Sequence, residues 1–134
     1  FTTAVDSSYD IGGSMGLTYV TVSLKPPGKK GKGYRSEFLV DSSATDTFAP
    51  ENEMRKAGIK PICKTVYELA DGSVKEYQYG LGQIEFMGET TAGRVVFGPY
   101  DCAPLLGVTA LESVGILVDP ANRTWKRLPA IPLK

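Results

Sequence analysis

The chain has 134 residues, 42% of them hydrophobic, with fifteen basic and fifteen acidic side chains and no histidine. That length suits one globular domain burying about two-thirds of the surface its unfolded chain exposes. Zero formal net charge supplies no long-range field toward nucleic acid or anionic lipid, so neither a nucleic-acid nor a membrane partner is expected. The missing histidine excludes a Ser-His-Asp triad, a Cys-His dyad and a histidine-ligated haem. Two cysteines, Cys63 and Cys102, are too few for a cysteine-rich zinc site, so no metal site built on His or Cys is expected.

Acid/base chemistry is therefore left to carboxylates, Lys, Tyr and Cys. Two cysteines also make no disulfide framework; they read as reduced, partly buried thiols near strand ends, and a cytoplasmic location is the expectation. No apolar run approaches the roughly 20 residues that span a bilayer, and no signal-peptide pattern is present.

In chain order, residues 1–14 are small and polar without an apolar period and read as a poorly ordered N-terminal arm, leaving 15–134 as the domain. Leu17, Tyr19, Val20, Val22 and Leu24 alternate as a half-buried strand. Lys25 to Gly33, rich in Lys, Pro and Gly, is a solvated hairpin connection. Tyr34 to Val40 is a second strand, ending at Asp41. Pro50, with Glu51 and Glu53 in the first turn and Gly58 beyond the end, predicts a short helix over Pro50 to Ala57.

Lys64 to Leu69 and Val74 to Tyr79 flank Ala70, Asp71, Gly72 and Ser73, and an Asp-Gly pair between alternating runs is a strong hairpin signal. Gln83 to Met87 and Arg94 to Phe97 add two strands, with Gly88 and Gly93 as punctuation. Thr109 and Glu112 form a capping-box pattern for a helix through Val114, closed by Gly115. Ile116 to Val118 and Thr124 to Leu128 form a final hairpin. Asn122, Arg123 and Thr124 match a glycosylation triplet that reads as a chance occurrence. Many short strands with two brief helices describe an all-β barrel or sandwich, and the connections are too short for a parallel α/β fold.

The segment with chemical content is Phe38-Leu39-Val40-Asp41-Ser42-Ser43-Ala44-Thr45-Asp46-Thr47-Phe48. Three apolar residues run directly into an Asp followed by small residues, so a carboxylate leaves a buried strand on a tight loop. An Asp at a strand end is also a common turn device that caps its own backbone. The segment resembles the Asp-Thr/Ser-Gly-Ala loop of retropepsin-like aspartic proteases, the retroviral type. Tyr67 to Tyr79 resembles their flap hairpin, and Pro104-Leu105-Leu106-Gly107 their later apolar-apolar-Gly element, which a helix follows. The likeness runs from about Leu17 to Val118.

The resemblance implies an all-β acid-protease barrel with short helices, one lobe per chain, and an aspartic endopeptidase acting on extended polypeptide. Asp41 would be its catalytic carboxylate, shared with the copy from a second chain in a homodimer. Ser42 would hydrogen-bond across the dimer, Ser43, Ala44 and Asp46 would line the cleft with Asp46 on substrate amides, and Ala70, Asp71 and Gly72 would form the flap tip. Leu106 and Gly107, with Leu105, would support the catalytic loop from beneath. Two departures stand out. Ser43 replaces the motif glycine, which is harmless only if its φ is negative, and Val108 stands where such enzymes often carry Arg. The alternative implied is a weak or inactive module used for dimerisation or peptide binding. Retroviral members pair through terminal strands, whereas a Pro-interrupted tail, Leu128 to Lys134, ends this chain.

Overall fold

The computed structural model describes residues 9–10, 19–31, 33–119 and 124–133. Most of the expected N-terminal arm lies outside the described residues, as do Asn122 and Arg123 of the glycosylation triplet. Within the arm, Tyr9–Asp10 form a two-residue strand, β1.

Alternation of Val20, Val22 and Leu24, all buried, makes Tyr19–Lys25 the strand β2. It pairs antiparallel with β3, Tyr34–Asp41, whose Phe38 and Val40 face the same interior. After the loop that begins at Asp41 come β4, Thr47–Pro50, and the helix α1, Glu51–Lys56. Pro50 is the residue before this helix rather than its first: at ψ 135° it still belongs to β4, and Ala57 caps the other end. Met54 carries the helix's buried side.

β5, Cys63–Glu68, and β6, Val74–Phe86, are antiparallel around the expected turn. β6 runs on without interruption where two separate strands were expected. Gly80 does not break it; a Cβ there would lie 2.5 Å from the Lys60 carbonyl oxygen, so glycine serves a close backbone approach. β7, Glu89–Gly98, likewise absorbs Gly93. The β6–β7 turn is Met87-Gly88, with φ of 52° and 77°, the pair of positive values of a two-residue type I′ hairpin. Methionine is rare there, so the turn residue that composition advertises is only the glycine.

β8, Leu105–Gly107, leads into α2, Val108–Ser113. The expected Thr109/Glu112 capping box does not form: Gly107 is the N-cap, no side chain caps the helix, and Thr109 lies inside its first turn. β9, Ile116–Asp119, and β10, Thr124–Arg127, form the expected final hairpin, with β1 on the outer side of β10.

Six strands in the order β2-β3-β8-β4-β7-β6 close on themselves through a β2–β6 pairing, which makes a barrel; β5 extends from the first half of β6. The barrel is not purely antiparallel. β3 pairs parallel with β8 and β4 parallel with β7, while β4 and β8 meet antiparallel at Phe48 and Leu105. Parallel neighbours need long crossovers. Here the intervening strands themselves supply the length, so no α/β architecture is required.

The core comprises Leu24, Phe38, Met54, Ile59, Leu106, Leu111 and Trp125, each fully buried. Each large side chain contributes about 1.5–3 kcal/mol by leaving water. Trp125 brings the three-stranded sheet β1-β10-β9 onto this core. Arg127 ties the same hairpin to the β6–β7 turn through Glu89, 2.7 Å away. Among the described residues no helix is long and apolar enough to cross a membrane.

Candidate active site

Asp41 is the last residue of β3, directly opposite Gly107 in the parallel β3–β8 register. The buried run Phe38 to Val40 fixes the strand, and the half-buried carboxylate emerges where the strand stops. Asp41 Oδ1 accepts two hydrogen bonds from Ser43, from the backbone N–H at 3.0 Å and from the hydroxyl at 2.6 Å. The Ala44 N–H closes the turn on the Asp41 carbonyl at 3.1 Å. Among the described residues the non-glycines with positive φ are Met87 and Asp101, so Ser43 carries its Cβ without left-handed strain.

The same bonding recurs at the β5–β6 turn, where Asp71 Oδ1 accepts from the Ser73 N–H at 2.9 Å and hydroxyl at 2.6 Å. The Ser73 hydroxyl, with its N–H, holds the Asp71 carboxyl below the ordinary Asp value. An Asp-x-Ser turn is thus a generic local device. What separates Asp41 from Asp71 is its support, since Asp71 stands at an exposed tip while the Asp41 loop is clamped from behind.

The clamp is Gly107 and the start of α2. Val108 and Thr109 donate their N–H groups to the carbonyls of Ala44, at 2.8 Å, and Thr45, at 3.1 Å. The Gly107 N–H donates to Thr47 Oγ1 at 3.2 Å, and Thr47 is buried. A side chain at position 107 has no room: its Cβ would lie 2.5 Å from the Asp46 carbonyl carbon and 2.7 Å from the Thr45 and Asp46 carbonyl oxygens. Val108 therefore contributes its backbone, and the helix-opening N–H groups find partners in the loop instead of in a capping side chain. Leu106 is fully buried beneath, and Leu105 partly so.

Of the other expected site residues, Ser42 and Ser43 are exposed and Ala44 and Asp46 half-buried on the same loop. Ala70, Asp71 and Gly72 form the β5–β6 turn, closed by the Leu69 N–H on the Ser73 carbonyl at 2.7 Å and the Gly72 N–H on the Leu69 carbonyl at 2.9 Å. The hairpin touches the loop. Tyr67 on β5 donates its hydroxyl to Asp46 Oδ2 at 2.7 Å. Burial, then the hydrogen bond and charge of Asp46, push the Tyr67 phenol up to about 12, against a smaller opposing pull from Arg94. Arg94 sits 4.3 Å over the ring of Tyr79.

Sequence reasoning missed Tyr67, Arg94 and Thr47 as parts of this site. Tyr67 and Arg94 read as ordinary alternating strand residues, and only the register of a folded hairpin brings them to Asp46. Cys63 is exposed rather than partly buried, Cys102 is half-buried, and both are free thiols. Among the described residues no group of three or more His, Cys, Asp or Glu could hold a metal ion. A cavity of about 30 Å³ lies between Asp46, Arg94, Thr109 and Ser113, a small fraction of the roughly 300–1,000 Å³ of ligand pockets.

No protein-family model and no curated protein matches the sequence. Among solved structures, the solution structure of Simian Foamy Virus (mac) protease matches with a TM-score of 0.51 and 21% identity, over 70% of this chain and 91% of that one. At that identity the likeness concerns the fold. Closed barrel, brief helices and clamped Asp41 loop together give this chain the single-lobe fold of retropepsin-like proteases.

Proposed function

We propose that the chain is one half of an aspartic endopeptidase that cleaves extended polypeptide, with Asp41 and its copy from a second chain as the catalytic pair. The observation that carries this reading is the clamp on the Asp41 loop, where Gly107, Val108 and Thr109 fix the backbone around one half-buried carboxylate. A generic turn needs no such support. Among the described residues the chain supplies one carboxylate of this kind, and the cavity beside Asp46 is far too small for a peptide; a second copy would complete both.

Two carboxylates a few ångströms apart cannot both ionise cheaply, so the pair shares a proton and titrates as a unit. The ionised member draws a proton from a water that attacks the scissile carbonyl, and the protonated member donates to the developing oxyanion. Neither step uses a metal or a cofactor. Ser42 is assigned to the hydrogen bonding across the dimer beneath the pair. Asp46 accepts from substrate amides, Ser43 and Ala44 line the cleft, and Ala70, Asp71 and Gly72 close over a peptide held as an added strand. Leu106 and Gly107 hold the loop in place.

The test is cleavage of casein from pH 3 to 7 by wild type and Asp41→Asn, with sedimentation to establish the dimer. Loss of cleavage in the variant is expected, and equal activity in both ends the reading. A second reading rests on the 2.6 Å bond from the Ser43 hydroxyl to Asp41 Oδ1, which occupies a carboxylate oxygen the pair would use. In that case the chain dimerises or binds a peptide strand without turnover, and Ser43→Gly restores cleavage.

A further inference from the structure

The β5–β6 hairpin has two unlike faces. One carries Tyr67, Tyr77 and Tyr79, half-buried; Tyr67 and Tyr77 pack at 6.2 Å between centroids, and Tyr77 meets Phe48 of β4 edge-on at 5.8 Å. The other leaves Val66 and Val74 in solvent, 59% and 66% exposed. The hairpin therefore lies with its aromatic face down on residues 46–48. Its polar attachment is the 2.7 Å bond from the Tyr67 hydroxyl to Asp46 Oδ2, with Arg94, stacked on Tyr79, beside that hydroxyl.

We propose that Tyr67 is a latch: in the peptide-free chain it holds the flap down on the catalytic loop by occupying Asp46, and an entering peptide releases the flap by taking over that carboxylate. The first half stands on the geometry alone. The second rests on the reading of Asp46 as the acceptor for substrate amides. A phenol-to-carboxylate bond is charge-assisted and among the stronger hydrogen bonds available to a side chain, so its loss shows in how often the hairpin lifts. Once lifted, the hairpin is left with its own β5–β6 pairing, and a two-stranded hairpin alone is marginally stable in water, so its amides exchange faster when the latch is lost. A peptide backbone N–H can satisfy Asp46 as the phenol does, which makes the exchange of partners nearly balanced and the latch reversible.

Amide hydrogen exchange on the full chain, followed by mass spectrometry, tests the first half without any need for catalysis. In Tyr67→Phe, exchange over residues 63–79 should rise about tenfold while β3 and β8 stay at the wild-type rate. Unchanged exchange over 63–79, in a variant that melts like wild type, overturns the latch. If Tyr67→Phe does not fold, Asp46→Asn replaces it, with a smaller rise expected because the neutral amide oxygen still accepts. Casein cleavage by Tyr67→Phe tests the second half: releasing the latch lowers KM, and an unchanged or raised KM overturns the competition. Absence of cleavage in the wild type refutes the peptidase reading and leaves the exchange result to decide the latch.

Discussion

Replacing Gly107 by alanine puts the clamp under direct stress. The added Cβ would lie 2.5 Å from the Asp46 carbonyl carbon and within 2.7 Å of two carbonyl oxygens, all backbone atoms that cannot swing aside as a side-chain tip can. The loop must retreat by roughly an ångström to reach ordinary contact. That retreat stretches the bonds from Val108 to Ala44, from Thr109 to Thr45 and from Gly107 to the buried Thr47 hydroxyl. Overpacking of this kind costs about 1–3 kcal/mol, and each weakened bond adds up to about 1 kcal/mol, so a total near 3 kcal/mol is expected. For a domain of this size that lowers Tm by about 9–15 °C. Gly93→Ala is the control, because its Cβ would meet nothing within 4 Å and its φ is not positive. Calorimetry or urea unfolding of the three proteins decides. A Gly107→Ala protein within about 0.5 kcal/mol of wild type, no worse than the control, refutes the close-approach argument.

Three further expectations are independent of catalysis. The Tyr67 phenol is raised from its ordinary value of 10 to about 12, so its bond to Asp46 stabilises the fold fully below pH 10 and is lost as pH rises from 10 to 12. Stability measured through that window should fall more steeply in wild type than in Tyr67→Phe, and parallel curves refute the coupling. Trp125→Ala removes a fully buried indole that joins the C-terminal hairpin to the core and should cost about 3–5 kcal/mol in urea unfolding. Cys63 is exposed, whereas burial, followed by the charges of Asp101 and Glu51, raises the Cys102 thiol. A thiol reagent near neutral pH should therefore modify Cys63 first, as peptide mapping would show.

Local chemistry was legible in the sequence wherever the structure is local. The Asp71-Gly72 turn, the apolar run into Asp41 and the Ile116 to Leu128 hairpin each follow from neighbours in the chain. Interruptions were read from glycine, which held at the Gly88 turn and failed inside the two long strands. At Gly80 the residue marks a close approach to Lys60, and at Gly93 it sits inside a continuous strand, so β6 and β7 are longer than their punctuation suggests. The parallel pairing of β3 with β8 and of β4 with β7 leaves no periodic trace, because the paired stretches run for only three and four residues. Thr109 and Glu112 have the spacing of a capping box, yet the helix opens against the Asp41 loop, and tertiary hydrogen bonds replace the local ones. The candidate site divides in the same way. Asp41, Ser43 and Gly107 could be named from motifs, whereas Tyr67, Arg94 and Thr47 acquire roles only through long-range register.

The parallel register of Asp41 with Gly107 also bears on how the molecule comes into being. A chain emerging from the ribosome presents the Asp41 loop well before β8, the segment that braces it. Contacts between such distant segments form late and slowly, since a long loop must be closed before they repay it. A nascent or truncated chain lacking β8 thus holds the carboxylate without its brace, and the loop is fixed only as the barrel shuts.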